Sequence, residues 1–169
     1  MALRVSKYFN TLRDKKVLIT AGPTREYWDP VRFLTNASSG QMGIALAFEA
    51  VKLGADVTLI VGPIQGSPPR QRKNLRVVRV ETALEMDAAV QAHFEGTQVF
   101  VGAAAVADYR PAQMLRSKIK EKPPTTTLTL IRNPDIITKV ARRSPTRPAV
   151  VIGFALETED VIENAEEKL

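Results

Sequence analysis

The chain has 169 residues, of which 44% are hydrophobic and 25% are charged, and such values are typical of one globular domain rather than of a disordered or fibrous chain. It contains no cysteine and only one histidine, which excludes a disulfide framework, cysteine–histidine catalysis and the usual zinc sites. The net charge of +6 suits an acidic partner, either a nucleic acid or a small anionic substrate.

The first part of the chain is predicted to form a strand, a long loop, a helix and a second strand. Val17–Ala21 is a short β-rich run that ends in a Gly-Pro pair, which is typical of a strand. A broad apolar face predicts a helix over Gly40–Leu53, and Gly54 is a natural stop. Val57–Val61 predicts the next strand, and it too is followed by Gly-Pro.

Strands and helices continue to alternate after a basic, Pro/Gly-rich connection at Gly62–Asn74. We expect a strand over Arg76–Val80 and a helix from Thr82 to about Phe94, because Thr82 and Glu85 have the spacing of a capping box. Further strands and one short helix complete the prediction: strands Val99–Val106, Leu128–Ile131 and Ala149–Phe154, and helix Pro134–Arg142.

The alternation predicts an α/β fold with a Rossmann-like, open, mostly parallel sheet and helices on both faces. No repeat or second core is visible, so residues 16–169 are predicted to be one domain after an N-terminal extension of residues 1–15. Two long loops, Gly22–Ser39 and Ala107–Thr127, follow the carboxyl ends of predicted strands. Open α/β sheets bind ligands at those ends, and long loops in compact domains are often functional. We therefore expect the site there.

The segment Asn36–Gly43 leads into the first predicted helix, where free backbone amides can bind phosphate. Ser38 or Ser39 is expected to cap this helix, Gly40 to leave room for a phosphate, and Gly43 to allow close packing on the sheet. The alternative is a helix start whose glycines serve packing alone. Neither the dinucleotide fingerprint nor the Walker A motif is present, which disfavours a nicotinamide-dependent reductase.

Three basic side chains of the two loops have alternative interpretations. Arg32 could hold a phosphate through two nitrogen atoms, or pair with Asp29 or Glu26 in a salt bridge. Lys118 and Lys120 could close over a triphosphate, or simply lie in solvent. The sequence leaves both questions open.

Other basic residues form a cluster that leads into the third predicted strand, namely Arg70, Arg72, Lys73, Arg76 and Arg79. They are interpreted as a solvated loop, because no nucleic-acid recognition motif accompanies them. His93, near the end of a predicted helix, is interpreted as a surface or cap-neighbour residue. The sequence has no apolar run near the ~18 residues of a membrane span and no secretory signal at its start. We expect a cytoplasmic protein that binds neither nucleic acid nor membrane.

Eight segments, in order from Lys16 onward, resemble phosphopantothenate–cysteine ligase, the synthetase half of the bifunctional bacterial coenzyme A flavoprotein. They are Ile19–Arg25, Asp29–Gly43, Gly54–Pro63, Thr82–Met86, Gly102–Arg110, Lys118–Lys120, Asn133–Ile136 and Gly153–Thr158. Each is weak alone, but the ordered set is specific. The resemblance implies that the carboxylate of 4′-phosphopantothenate attacks the α-phosphate of CTP, or of ATP as in eukaryotic members. The acyl-nucleotide then reacts with the amine of L-cysteine.

The resemblance also implies roles for individual residues. The implied catalytic residues are Lys118 and Asn36. The implied substrate-binding residues are Arg32, Asn36, Ala104, Ala105 and Asp108. The implied nucleotide-binding residues are Gly22, Ser38, Gly40, Gly43, Gly102, Ala103, Ala104, Asp108, Lys118, Asn133, Pro134, Asp135, Ile136 and Phe154. No metal ligand is assigned.

Family membership would further imply Mg²⁺, a homodimer in which each subunit completes its partner's pocket, and fusion to or association with a flavin-dependent decarboxylase. No flavin is expected in this domain itself. The sequence ends at Leu169 inside a predicted helix, whereas the family continues with further lysines that grip the triphosphate. The resemblance therefore implies a shortened synthetase domain. The alternative is an incomplete fragment or paralogue that binds nucleotide without turnover.

Overall fold

The computed structural model describes residues 11–120, 123–142 and 146–154. Within them the strands are β1 (Lys16–Pro23), β2 (Arg25–Tyr27), β3 (Phe33–Thr35), β4 (Asp56–Val61), β5 (Leu75–Arg79), β6 (Val99–Ala105), β7 (Tyr109–Pro111), β8 (Leu130–Arg132) and β9 (Val150–Gly153). The helices are α1 (Gln41–Lys52), α2 (Ala83–His93) and α3 (Ile136–Ala141). No helix among these described residues is long and apolar enough to cross a membrane.

Five parallel strands form the central sheet in the order β5-β4-β1-β6-β9. The strand β1 lies in the middle, and β4 and β6 flank it on either side. The chain therefore first builds one half of the sheet and then crosses to the other side of β1. In open α/β sheets such a reversal of strand order opens a crevice at the carboxyl ends of the strands, where ligands bind. The predicted Rossmann-like fold is confirmed.

Helices cover both faces of this sheet because the apolar side chains of β1 point alternately to either side. Val17 and Ile19 join a core cluster with Ala47 of α1. Leu18 joins a second cluster with Met86 of α2, in which α3 residues also take part. Burial on both faces explains why the strands read as continuous apolar runs rather than as alternating ones.

Both long loops contain short antiparallel ribbons that the sequence analysis did not predict. The strands β2 and β3 pair within the first loop, and β7 pairs with β8 across the second. The predicted strand at Leu128–Ile131 overlaps β8, which pairs with β7 in a separate sheet and not with the central one. All three residues of β8 are exposed.

Part of the predicted N-terminal extension packs against the domain. The amide of Leu12 donates to the carbonyl of Leu53 at 3.0 Å, and that of Asp14 donates to Gly54 at 3.3 Å. The side chain of Leu12 also packs against the first core cluster. Residues 11–15 thus close the end of α1, while residues 1–10 and the predicted final helix lie outside the described residues.

The capping box at the start of α2 is confirmed, and its loss should be measurable. Thr82 Oγ1 accepts from the amide of Glu85 at 3.2 Å, and Glu85 Oε2 accepts from the amide of Thr82 at 3.4 Å. We expect Thr82→Ala to lower the free energy of unfolding by ~1 kcal/mol, because a helix amide loses its acceptor. Chemical denaturation checks this, with the exposed Thr126→Ala as the matched control. Equal effects of the two substitutions would contradict the capping role.

Candidate functional site

The carboxyl end of β1 and the start of α1 meet in a close contact between Gly22 and Gly40, the glycine turn. Gly22 and Gly40 have φ angles of 78° and 71°, which L side chains rarely adopt. A Cβ atom on Gly40 would lie 3.1 Å from the Cα of Gly22 and 2.6 Å from Cγ2 of Ile64. A Cβ atom on Gly43 would lie only 2.5 Å from that of Ala21. Packing and backbone conformation thus account for these glycines, and the close packing of Gly43 on the sheet is confirmed.

The helix α1 begins differently from the prediction, because Gly40 and not a serine is its N-cap. Ser38 Oγ accepts from the amide of Gly40 at 3.3 Å, and Ser39 Oγ accepts from that of Gln41 at 3.4 Å. These bonds stabilise the turn before the helix and take up the amide of its first residue, although the N-cap residue Gly40 makes no side-chain bond of its own. The first amides inside any α-helix have no intrahelical acceptor, so the helix can still bind an anion there.

Asn36 joins the glycine turn to the carboxyl end of β6. Its Nδ2 donates to the carbonyl oxygens of Ala105 at 3.4 Å and Val106 at 3.1 Å. The register of β1 and β6 places Gly22 beside Ala104. Asn36 is exposed, so its amide group lies at the rim of the sheet. The structure therefore brings together the predicted residues Asn36, Gly22, Ala104 and Ala105.

A hydrogen-bonded turn continues from β6 and is held by two residues with buried amide or hydroxyl groups. Thr24 Oγ1 accepts from the amide of Ala107 at 3.0 Å, and Asn133 Nδ2 donates to the Ala107 carbonyl at 2.7 Å. The amide of Asn133 donates to the carbonyl of Asp108 at 2.7 Å. Asn133 thus fixes the backbone that carries the exposed Asp108. Sequence reasoning missed Thr24, although it stands in the conspicuous segment that follows Gly22.

Three further predicted nucleotide-binding residues lie at the start of α3 and directly after β9. Asp135 caps α3 by accepting from the amide of Thr138 at 2.9 Å. The side chain of Ile136 is buried in the second core cluster, so only its backbone remains available. Phe154 is exposed and follows Gly153, which pairs with Gly102 of β6. Nucleotide contacts at these positions stay a prediction.

Arg32 is bound to a fully buried carboxylate. Arg32 Nε and Nη2 both donate to Asp29 Oδ2, at 2.8 Å and 2.6 Å. Burial by itself raises the pKa of Asp29, but hydrogen bonds from the Arg32 side chain and from the backbone amides of Val31, Arg32 and Ile119 outweigh it. The pKa of Asp29 is therefore held well below its usual value. Of the two alternatives for Arg32, the structure contains the salt bridge to Asp29. Phosphate binding by Arg32 stays a prediction.

Lys118 and Lys120 are both exposed, on either side of an anchored residue. The amide of Ile119 donates to Asp29 Oδ2 at 3.4 Å, and the carbonyl of Ile119 accepts from Arg32 Nη2 at 3.3 Å. The structure thus connects Lys118 to Arg32 through the backbone of Ile119. Sequence reasoning did not foresee this link, because nothing in the composition of either loop indicates it.

The part of the chain that the structure describes contains no cluster of side chains dedicated to binding a metal ion. There, no group of three His, Cys, Asp or Glu side chains could hold an ion. His93 Nδ1 lies 3.0 Å from the carbonyl of Ala89 within α2, next to the C-cap residue Phe94, which fits its interpretation as a cap-neighbour residue. Exposed Asp108 is a carboxylate at the edge described above. Mg²⁺ typically uses one or two such carboxylates together with substrate phosphates.

Comparison with known proteins gives a consistent family. Residues 12–169 match the family model described as the DNA/pantothenate metabolism flavoprotein C-terminal domain. The chain is 49% identical over 160 residues to the coenzyme A biosynthesis bifunctional protein CoaBC of Vibrio cholerae, a match that covers 94% of this chain and 39% of that protein. The chain thus spans about two fifths of the length of this curated relative.

Solved structures agree with this result. A crystal structure of the C-terminal domain of coenzyme A biosynthesis bifunctional protein CoaBC has a TM-score of 0.79 at 43% identity, and the match covers 95% of this chain and 74% of that chain. The DNA/pantothenate metabolism flavoprotein from Streptococcus pneumoniae has a TM-score of 0.74 at 25% identity, with 92% and 77% covered. The chain belongs to the family of DNA/pantothenate metabolism flavoprotein C-terminal domains.

Proposed function

We propose that this chain is a ligase domain that joins 4′-phosphopantothenate to L-cysteine at the expense of a nucleoside triphosphate, in coenzyme A biosynthesis. Its family membership and its 49% identity to a CoaBC protein support this function. The structural observation that carries the proposal is the meeting of Asn36, the Gly22 turn and the end of β6 beside the start of α1. An amide side chain and helix amides at the switch point of the sheet suit an acyl phosphate group.

The proposed reaction has two balanced steps. The carboxylate oxygen of 4′-phosphopantothenate attacks the α-phosphorus of the nucleotide, and pyrophosphate leaves. The amine of L-cysteine then attacks the acyl carbon, loses a proton, and displaces the nucleoside monophosphate. Charge develops on the leaving phosphates, so positioned donors and cations accelerate both steps. In this scheme Asn36 orients the acyl group, the start of α1 binds phosphate, and Lys118 neutralises charge.

CTP, Mg²⁺ and the partners are further parts of the proposal. We favour CTP over ATP, because the resemblance associates ATP with eukaryotic members of the family and the Vibrio relative is bacterial. Mg²⁺ would arrive on the triphosphate and neutralise its charge, with Asp108 as the available carboxylate. A homodimer is supported by exposed Tyr109, Leu130 and Ile131 on the β7–β8 ribbon. The bifunctional name of the relatives fits fusion to, or association with, a flavin-dependent decarboxylase, and a role in coenzyme A biosynthesis fits a location in the cytoplasm.

Lys118→Gln should abolish most of the ligase activity. We expect pyrophosphate release from CTP, with 4′-phosphopantothenate, Mg²⁺ and L-cysteine, to fall by about 10²-fold, because a cation near developing charge is lost. The assay is repeated with ATP and without cysteine to identify the nucleotide and the half reaction. Lys73→Gln, another exposed lysine outside the two loops, is the matched control and should retain wild-type activity.

If the chain alone is inactive, a chimera shows whether it lacks part of the catalytic site or whether the proposed function is wrong. In it, this chain replaces the matching segment of the Vibrio cholerae CoaBC protein. Activity of the chain alone supports the proposal directly, and activity of the chimera alone supports it with catalytic parts supplied from outside this chain. If both are folded and silent while the intact relative turns over, the ligase function is wrong. Binding of CTP without turnover in both would then favour the non-catalytic alternative.

A further inference from the structure

A short turn at residues 28–32 holds the loop that carries Lys118. Three hydrogen bonds make this connection: Leu115 N to Trp28 O at 2.8 Å, Ile119 N to Asp29 Oδ2 at 3.4 Å, and Arg32 Nη2 to Ile119 O at 3.3 Å. We propose that Asp29 is a positioning residue that fixes both Arg32 and the Lys118 loop for the reaction, an inference that rests on the proposed function. Asp29 itself touches no reacting atom in this scheme.

Asp29 is suited to this role because its whole hydrogen-bonding capacity faces the two loops. Its side chain is fully buried and accepts five hydrogen bonds. Oδ1 takes the amides of Val31 and Arg32, both at 2.8 Å, and this closes the turn. Oδ2 takes the Arg32 guanidinium and the Ile119 amide. A single carboxylate therefore organises a local turn, an arginine and a distant loop.

Among the described residues, the amide of Ala112 also holds the beginning of the Lys118 loop, by donating to the carbonyl of Thr129 at 2.9 Å. Residues 112–118 are all exposed, whereas Pro111 before them is buried and Ile119 after them is half-buried. A segment without buried apolar contacts opens readily unless hydrogen bonds restrain it. The bonds to Leu115 and Ile119 are such restraints, and those at Ile119 depend on the Asp29–Arg32 pair. The position of Lys118 therefore depends on the hydrogen bonds that Asp29 accepts.

Arg32 depends on Asp29 in a second way. Because Nε and Nη2 both donate to one carboxylate oxygen, the plane of the guanidinium is fixed. The central carbon of the guanidinium lies 5.7 Å from the centroid of the Trp28 ring. Without Asp29 the guanidinium loses its orienting partner, and the Ile119 carbonyl loses a fixed donor. Asp29→Asn keeps the size of the side chain but removes the charge that holds the fork. The substitution should therefore release the loop and Arg32 together.

Limited trypsin digestion of the whole chain tests the anchoring without any substrate. We expect Asp29→Asn to accelerate cleavage after Arg116 and Lys118 by about tenfold, since both follow exposed segments of the loop. Trp28 is the only tryptophan of the chain, so its emission and its quenching by acrylamide should change as well. Asp56→Asn, at an exposed aspartate, is the control. Wild-type digestion and emission in Asp29→Asn would overturn the proposal.

A second variant keeps the proposal testable if the Asp29→Asn protein does not fold. Ile119→Pro removes the amide that donates to Asp29 but leaves the Asp29–Arg32 pair intact. It should accelerate cleavage after Arg116, because trypsin does not cut between Lys118 and a proline, while circular dichroism stays that of the wild type. If Ile119→Pro is folded and is cleaved after Arg116 no faster than the wild type, the anchor does not hold the loop and the proposal is wrong.

Kinetics decide whether the anchoring serves the reaction. In the active form, chain or chimera, Asp29→Asn should lower kcat by about 10²-fold with little change in the KM for CTP, because the displaced group acts on the transition state. An opened loop with wild-type kcat would overturn the positioning role. If wild-type chain and chimera both lack activity, the proposed ligase function fails, whereas digestion and emission still decide whether Asp29 holds the loop.

Discussion

Gly62→Ala is expected to destabilise the chain by about 3 kcal/mol, because the added methyl group has no space. A Cβ atom on Gly62 would lie 1.8 Å from the carbonyl oxygen of Pro23 and 3.0 Å from its carbonyl carbon. These are backbone atoms at the end of β1, so no rotamer change relieves the contact. Either β1 or the segment after β4 has to move. Both end at the edge where the glycine turn and Asn36 meet.

Chemical denaturation measures this effect, and Gly153→Ala is the matched control. Gly153 also lies at the end of a strand of the central sheet, and a Cβ atom there would meet Ile137 at an ordinary 3.4 Å. Its substitution should change the free energy of unfolding by less than ~1 kcal/mol. If Gly62→Ala unfolds at the same denaturant concentration as Gly153→Ala, the close approach of Gly62 to Pro23 is not a constraint on the fold.

The central sheet could be predicted from the sequence because its strands are apolar runs bounded by strong stop signals. Val17–Ala21 and Val57–Val61 both end in Gly-Pro and both lie inside strands of the structure. The start of α2 was predictable from Thr82 and Glu85, because a capping box is a local feature. In each case the information lies within a few residues of the element.

The short ribbons could not be predicted in this way. Each of β2, β3 and β7 has only three residues, too few for a recognisable alternation, and the strand predicted at Leu128–Ile131 gave no indication of its partner β7. The ribbon of β7 and β8 joins Tyr109 with Arg132, residues separated by a long connecting segment. Pairing of this kind depends on where the rest of the fold brings the two strands, and that is a property of the whole chain rather than of either segment.

The candidate site shows the same division between local and distant information. The resemblance implied that Gly22, Asn36 and Ala104 belong to one site, and the structure brings them together because the carboxyl ends of parallel strands share one edge of a sheet. The contact between Asp29 and Ile119 was not predictable, because it joins two irregular loops. The sequence showed that Arg32 had an acidic neighbour, and only the structure shows that the neighbour is buried.

Asn36→Asp is expected to reduce formation of 4′-phosphopantothenoyl-L-cysteine by about 10²- to 10³-fold, the range seen when one polar donor of an active site is lost. Asn36 Nδ2 donates to the carbonyls of Ala105 and Val106. A carboxylate has no hydrogen to donate and is repelled by both carbonyl oxygens, so the segment before α1 should separate from the end of β6. The acyl group would then lose its orienting amide at the same time as the site widens.

Product formation by the active form, chain or chimera, measured by mass spectrometry beside pyrophosphate release, separates the two steps of the reaction. A larger loss of product than of pyrophosphate places the role of Asn36 after activation, and equal losses place it at activation. Gln71→Glu makes the same amide-to-carboxylate change at an exposed position and should leave both rates unchanged. If folded Asn36→Asp forms product at the wild-type rate, Asn36 does not belong to the catalytic site. The repulsion from the carbonyls of Ala105 and Val106 would then not affect the bound acyl group.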